Sequence, residues 1–154
     1  MSVRFLRIAS ILTLIHAALH TMGGVFGKPV PGVAMMIAAE MRTRFPVFGV
    51  MRSYSDFYLG MGLAVSIFLT VEAIVLWMLA TLARSDAARL RPILGIFLLG
   101  YLALAVNSYT FFFAGPVIAE IVIVACLAAA IFYASPAEND ATPTEQPELK
   151  IMRP

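Results

Sequence analysis

The sequence predicts an all-α integral membrane protein: an up-down four-helix bundle with an amphipathic interfacial helix between its first two spans. Three observations lead there. Four long runs are almost purely apolar, the charges collect in the gaps between them, and the second and third gaps are short. A run of about 18 or more apolar residues is long enough to cross the hydrocarbon core of a bilayer as a helix. With 154 residues, 61% of them hydrophobic, the chain has no room for a separate soluble core.

The first run, Ile8 to Val25, contains His16 and His20 and no formal charge. Arg4 and Arg7 precede it, as in a secretory leader. No small-x-small cleavage site follows, however, and the histidines interrupt the apolar stretch, so a retained span over about residues 5–26 is expected. Pro29 and Pro31 end it. Val33 to Phe45 then reads as a short amphipathic helix, with Glu40 and Arg44 paired at i,i+4, Met35, Met36 and Met41 on the apolar side, and Pro46 as its stop. Such a helix would lie at the outer mouth of the bundle as a lid or as inert surface.

Span two, about 54–82, carries only Glu72 between Phe57 and Leu82; span three, about 92–113, carries no charge between Pro92 and Phe113. Ala114-Gly115-Pro116 turns the chain tightly, with Pro116 opening span four, about 116–134, whose sole charge is Glu120. Short links favour antiparallel neighbours. Gly23, Gly24, Gly27, Gly60, Gly62, Ala125 and Ala129 permit close helix approach. Residues 135–154 hold four prolines and four acids, a composition expected to remain a disordered cytoplasmic tail.

Arg4 and Arg7, with Arg84, Arg89 and Arg91, predict both termini in the cytoplasm under the positive-inside rule. The first connection opposes this, because it carries Lys28, Arg42, Arg44 and Arg52. The net charge of +2 reflects these membrane-edge residues and signals no nucleic-acid partner. Cys126 is the only cysteine, which excludes an intrachain disulfide.

Ionisable groups in hydrocarbon are costly and usually turn inward. Here they are His16, His20, Asp56, Glu72 and Glu120, with Asn107 as a neutral companion. All except Glu72 are expected near the outer leaflet, with Arg52, Tyr58 and Tyr109 at the edge. Glu72 lies about 24 Å further along span two than Asp56, and turned by about 160°. Arg52 and Asp56 are spaced for an ion pair. The leading expectation is acid–base or quinone chemistry on a lipophilic small molecule. His16, His20, Asp56 and Glu120 are its catalytic candidates, and Arg52, Tyr58, Asn107 and Tyr109 its binding candidates.

Several alternatives stand beside it. The polar residues can be interhelical glue in a non-catalytic subunit or ligand-binding protein. A metal site on His16, His20 and Glu120 has suitable spacing, but His-Ala-Ala-Leu-His lacks the glutamate of zinc proteases. Haem would have one proximal histidine only, since one helix cannot present two axial ligands from opposite sides of an iron. A proton-coupled transporter would need oligomerisation. No cofactor is specified by the sequence. The bilayer is the one certain partner, with a lipophilic small molecule and a homo-oligomer or larger membrane complex as further expectations.

The segment Met51 to Gly62, together with His20 to Gly24, resembles a family of small bacterial four-span membrane proteins. In size and layout the chain is also loosely similar to DoxX-like and sterol-isomerase-type four-helix membrane proteins. That resemblance implies the four-span fold and modestly favours chemistry on a lipophilic molecule. It transfers no catalytic residue.

Overall fold

A computed structural model describes residues 1–134; the expected tail, 135–154, lies outside the described residues. The chain is mostly helical. Four helical stretches are long and apolar enough to cross a membrane: Ser2–Val25, Tyr54–Asp86, Ala88–Phe111 and Ala114–Phe132. The first comprises α1 (Ser2–Leu19) and a π-helical segment (His20–Val25). Gly23 and Gly24 are weak helix formers, and the wider ladder ends where the Phe26 amide donates to Thr21 O at 3.1 Å.

The buried stripe of α1 is Leu6, Ala9, Ser10, Thr13, His16 and Ala17, the i, i+3, i+4 spacing of one helix face. It packs against α3 (Tyr54–Asp86) and α5 (Ala114–Phe132), and α5 packs against α4 (Arg91–Phe111). Cross-contacts give the directions. Arg7 lies over Trp77, Ser10 touches Ala73, and His20 reaches Gly62, so α1 and α3 run antiparallel. Phe5 stacks on Tyr133, with ring centroids 5.7 Å apart, so α5 also runs against α1. At the same end Arg91 donates to Ala134 O at 2.5 Å and pins the start of α4 to the end of α5.

The packed apolar core occupies the half of the molecule nearest the N-terminus. Leu6, Leu76, Leu94 and Leu127 are fully buried there, alongside Ala9, Ala80 and Ala130. In the other half the interior changes character: Thr13, His16, Ser66, Ser108 and Glu120 are its buried polar residues.

The first connection differs from expectation. Its helix, α2, covers only Val33–Glu40 and buries no residue. Within it, Glu40 is the only charged side chain, so α2 is apolar all round and not amphipathic. The chain then forms a hairpin of β1 (Arg44–Val47) and β2 (Val50–Ser53), with Arg44 opposite Ser53 and Val47 opposite Val50. Arg44 is therefore in a strand and not one turn beyond Glu40, and Pro46 sits in β1 opposite Met51 and does not end a helix. In a two-stranded ribbon a proline can face the open edge, where its missing N–H costs no ladder bond. Phe48 (φ 47°) and Gly49 (φ 85°) are both left-handed, as a two-residue turn of the primed type requires. A phenylalanine in place of the usual Asn or Asp hides this turn in the sequence.

Span two begins after Ser53 with a capping box. The Ser53 hydroxyl accepts from the Asp56 amide, and the Asp56 carboxylate accepts from the Ser53 amide at 2.9 Å. Phe45 packs on Tyr54 and Phe57, and the Ser55 amide donates to Met41 O, so the hairpin is fastened to the first turn of α3.

Candidate functional site

The polar residues form three layers, each joining different helices. In the lowest, Ser10 Oγ of α1 donates to Ala73 O of α3 at 2.6 Å. The buried Tyr101 hydroxyl of α4 lies 3.0 Å from Thr13 Oγ1 and donates to Glu72 Oε2 at 2.9 Å, so α1, α4 and α3 meet at one oxygen. Glu72, set apart from the others in the sequence reading, is thus part of the interior network. Tyr101 was overlooked as a site residue; its signal was a tyrosine in mid-span and not at a membrane edge, where aromatic belts belong.

The middle layer contains His16 and Glu120. His16 is 9% exposed and Glu120 is 3% exposed. Glu120 Oε1 accepts from Ser108 Oγ of α4 at 2.8 Å, whereas Glu120 Oε2 and His16 Nδ1 are buried without a partner among the described residues. Measured from the Phe5–Tyr133 stack at 1.5 Å per residue, His16 lies about 17 Å and Glu120 about 20 Å up the bundle. Two unsatisfied polar atoms on separate helices thus share one level of the interior. Buried polar groups are nearly always hydrogen-bonded, so each such orphan calls for an explanation.

The top layer joins the π segment to α3. His20 Nε2 contacts Gly62 O at 3.1 Å, and a carbonyl partner makes that nitrogen the donor. Ser66 Oγ donates to the same carbonyl, and Thr21 lies within hydrogen-bond distance of both Ala17 O and Ser66 Oγ. Gly62 has a definite role here: a Cβ at that position would meet Val25 Cγ2 at 2.9 Å.

The remaining expected site residues lie elsewhere. Asp56 is exposed and occupied in its capping box, so the expected Arg52–Asp56 ion pair is absent. Arg52 donates to Met51 O instead. Local capping engages Asp56 Oδ2 with the backbone and hydroxyl donors of Ser53, three residues away. Tyr58 and Tyr109 are 59% and 81% exposed, and Asn107 is also on the outer face of its helix. Among the described residues no three His, Cys, Asp or Glu side chains are grouped to hold a metal ion, so His16, His20 and Glu120 do not assemble as a ligand set.

A shallow groove of about 260 Å³ is lined by Leu63, Ser66, Ile67, Thr70 and Val71, all on α3. α3 and α4 are bridged by Tyr101–Glu72 and by the turn at Ala88–Leu90. On the Glu72 side of α3, Leu79 is buried below that bridge, while Val65, Phe68 and Met61 above it are 44%, 68% and 72% exposed.

By length and composition the chain is a mostly α-helical protein with four helices able to cross a membrane and a polar layer among them. No protein-family model matches the chain, and no curated protein or solved structure matches it.

Proposed function

We propose that this chain is an up-down four-helix bundle of a bacterial inner membrane that takes a lipophilic small molecule sideways from the bilayer. In this reading the molecule enters between α3 and α4, and its hydrogen-bonding head docks between His16 and Glu120. The observation that carries this reading is the pair of buried, unpartnered atoms, His16 Nδ1 and Glu120 Oε2, at one level of the interior. An imidazole and a carboxyl offer both a proton donor and a proton acceptor to a ketone, enol or quinol head, which suits isomerase-like or quinone chemistry. His20 holds the π segment to Gly62 through Nε2. Arg4, Arg7, Arg84, Arg89 and Arg91 support a cytoplasmic placement of the termini.

A second reading has its own support. Ser10–Ala73, Thr13–Tyr101–Glu72, Thr21–Ser66 and Ser108–Glu120 all cross between helical segments, as interhelical glue in a non-catalytic subunit would. One experiment separates the two. The protein is purified in mild detergent, bound small molecules are identified by mass spectrometry, and His16→Ala and Glu120→Gln are compared for ligand content and melting temperature. Loss of a copurifying isoprenoid or quinone-like molecule from variants that still melt near the wild type supports the site. Variants that melt early, from a protein that never carries such a molecule, sink it in favour of glue.

A further inference from the structure

The connection between α1 and α3 spends conformational energy to hold an aromatic ring in the open. Phe48 occupies the tip of the hairpin turn with φ 47°, a region that bulky residues rarely adopt. Its side chain is 105% exposed. The strands behind it form an isolated two-stranded ribbon, an arrangement marginal in water. Beside it, α2 exposes Val33, Met35, Met36 and Ile37 at 51–71% and buries nothing. Among the described residues, neither α2 nor the Phe48 ring is buried against a partner.

We infer that residues 26–53 form a lipid-docking paddle that rests in the headgroup layer of the membrane crossed by the four long helices. The apolar side chains of α2 and the Phe48 ring reach the acyl boundary, and the basic residues bind anionic headgroups.

Two further observations identify lipid as the occupant. First, the apolar surface is continuous with the spans. The paddle joins the π segment on one side and the capped start of α3 on the other, and Met22, Phe26, Tyr54 and Tyr58 at those junctions are 59–72% exposed. Second, the charge is complementary: Lys28, Arg42, Arg44 and Arg52 stand against the single acid Glu40 within this stretch. Basic segments beside a membrane are drawn to anionic lipid, and apolar groups on an interfacial helix insert at the acyl boundary. A water-facing lid would have no use for an all-round apolar helix. The hairpin is rigidly aimed, because Phe45 clamps it to Tyr54 and Phe57.

This inference rests on the membrane-spanning reading, and the test keeps the two apart. In a Trp77→Phe background, Phe48→Trp and Val106→Trp are made separately; Val106 lies on the exposed face of α4, well inside a span. Each full-length variant is reconstituted into vesicles of phosphatidylcholine, with and without phosphatidylglycerol, using brominated acyl chains as quencher. The expected result is blue-shifted emission and bromine quenching at both positions. Quenching at position 48 should deepen with phosphatidylglycerol, and that increment should vanish when Lys28, Arg42, Arg44 and Arg52 are all changed to Gln. Quenching at 106 with red-shifted, unquenched emission at 48 overturns the paddle and leaves the spans intact. Blue-shifted but unquenched emission at 48 means that protein, such as a second copy, covers the tip, and also overturns it. No quenching at either position removes the membrane reading itself.

Discussion

Tyr101→Phe removes one oxygen from the layer that holds three helices together and leaves the ring to fill the same space. The residue is 1% exposed, and its hydroxyl meets Thr13 Oγ1 at 3.0 Å and Glu72 Oε2 at 2.9 Å. Hydrogen bonds between membrane helices are worth about 0.6 kcal/mol on average and about 1.7 at most. Losing two therefore costs about 1 kcal/mol, rising to about 3 if both lie at the top of that range. Helix content should not change, because no backbone bond is touched. The measurement is reversible unfolding in mixed mild and denaturing detergent, followed by circular dichroism. Thr13→Val should cost about 0.6 kcal/mol, since it loses one bond and replaces the hydroxyl with a methyl. Once Tyr101 lacks its oxygen, Thr13→Val has no bond left to break, so the double variant should be no less stable than Tyr101→Phe. Strict additivity within about 0.3 kcal/mol, the level expected of uncoupled sites, would refute the three-helix junction. So would a Tyr101→Phe protein as stable as the wild type.

Two further substitutions test neighbouring parts of the structure. Asp56→Ala removes the acidic half of the capping box from the first turn and should destabilise by about 0.3–1 kcal/mol, with faster amide exchange in the first turn of α3. Arg52→Ala should leave both unchanged, because Arg52 bonds only to Met51 O; an equal loss from the two would restore the ion pair. Gly62→Ala should lower the melting temperature, since its Cβ meets Val25 at 2.9 Å and must shift the π segment and the His20 bond. Gly60→Ala meets nothing within 4 Å and should gain up to about 1 kcal/mol of helix propensity. Matching losses at the two glycines would contradict the close approach.

The outer-leaflet cluster expected from depth alone separates into different fates. His16 and Glu120 turn inward, His20 is held by Gly62, and Asp56 caps a helix. Depth follows from counting residues, but rotation about the helix axis and the choice of partner do not. The Ser53–Asp56 box was present in the letters, yet an arginine four residues before the acid suggested a different partner. Local geometry won, because Ser53 delivers its donors without ordering a long side chain.

Apolar run lengths alone predict how many helices are long enough to span a membrane and roughly where they turn. Apolar length is a local quantity, and hydrocarbon demands that each segment satisfy its own backbone. Packing alone decided that Tyr101 meets Thr13 and Glu72, 88 and 29 positions away along the chain. The same holds for Ser108 taking one oxygen of Glu120 while the other goes without. The hairpin also waited on the tertiary structure, for its turn uses Phe48 where a strand–turn signature would show Asn or Asp, and its position depends on Phe45 packing against α3. Hydrogen bonds between helices depend on how each rod is rotated against its neighbours, and that rotation is set by the whole set of packed faces and by no single segment.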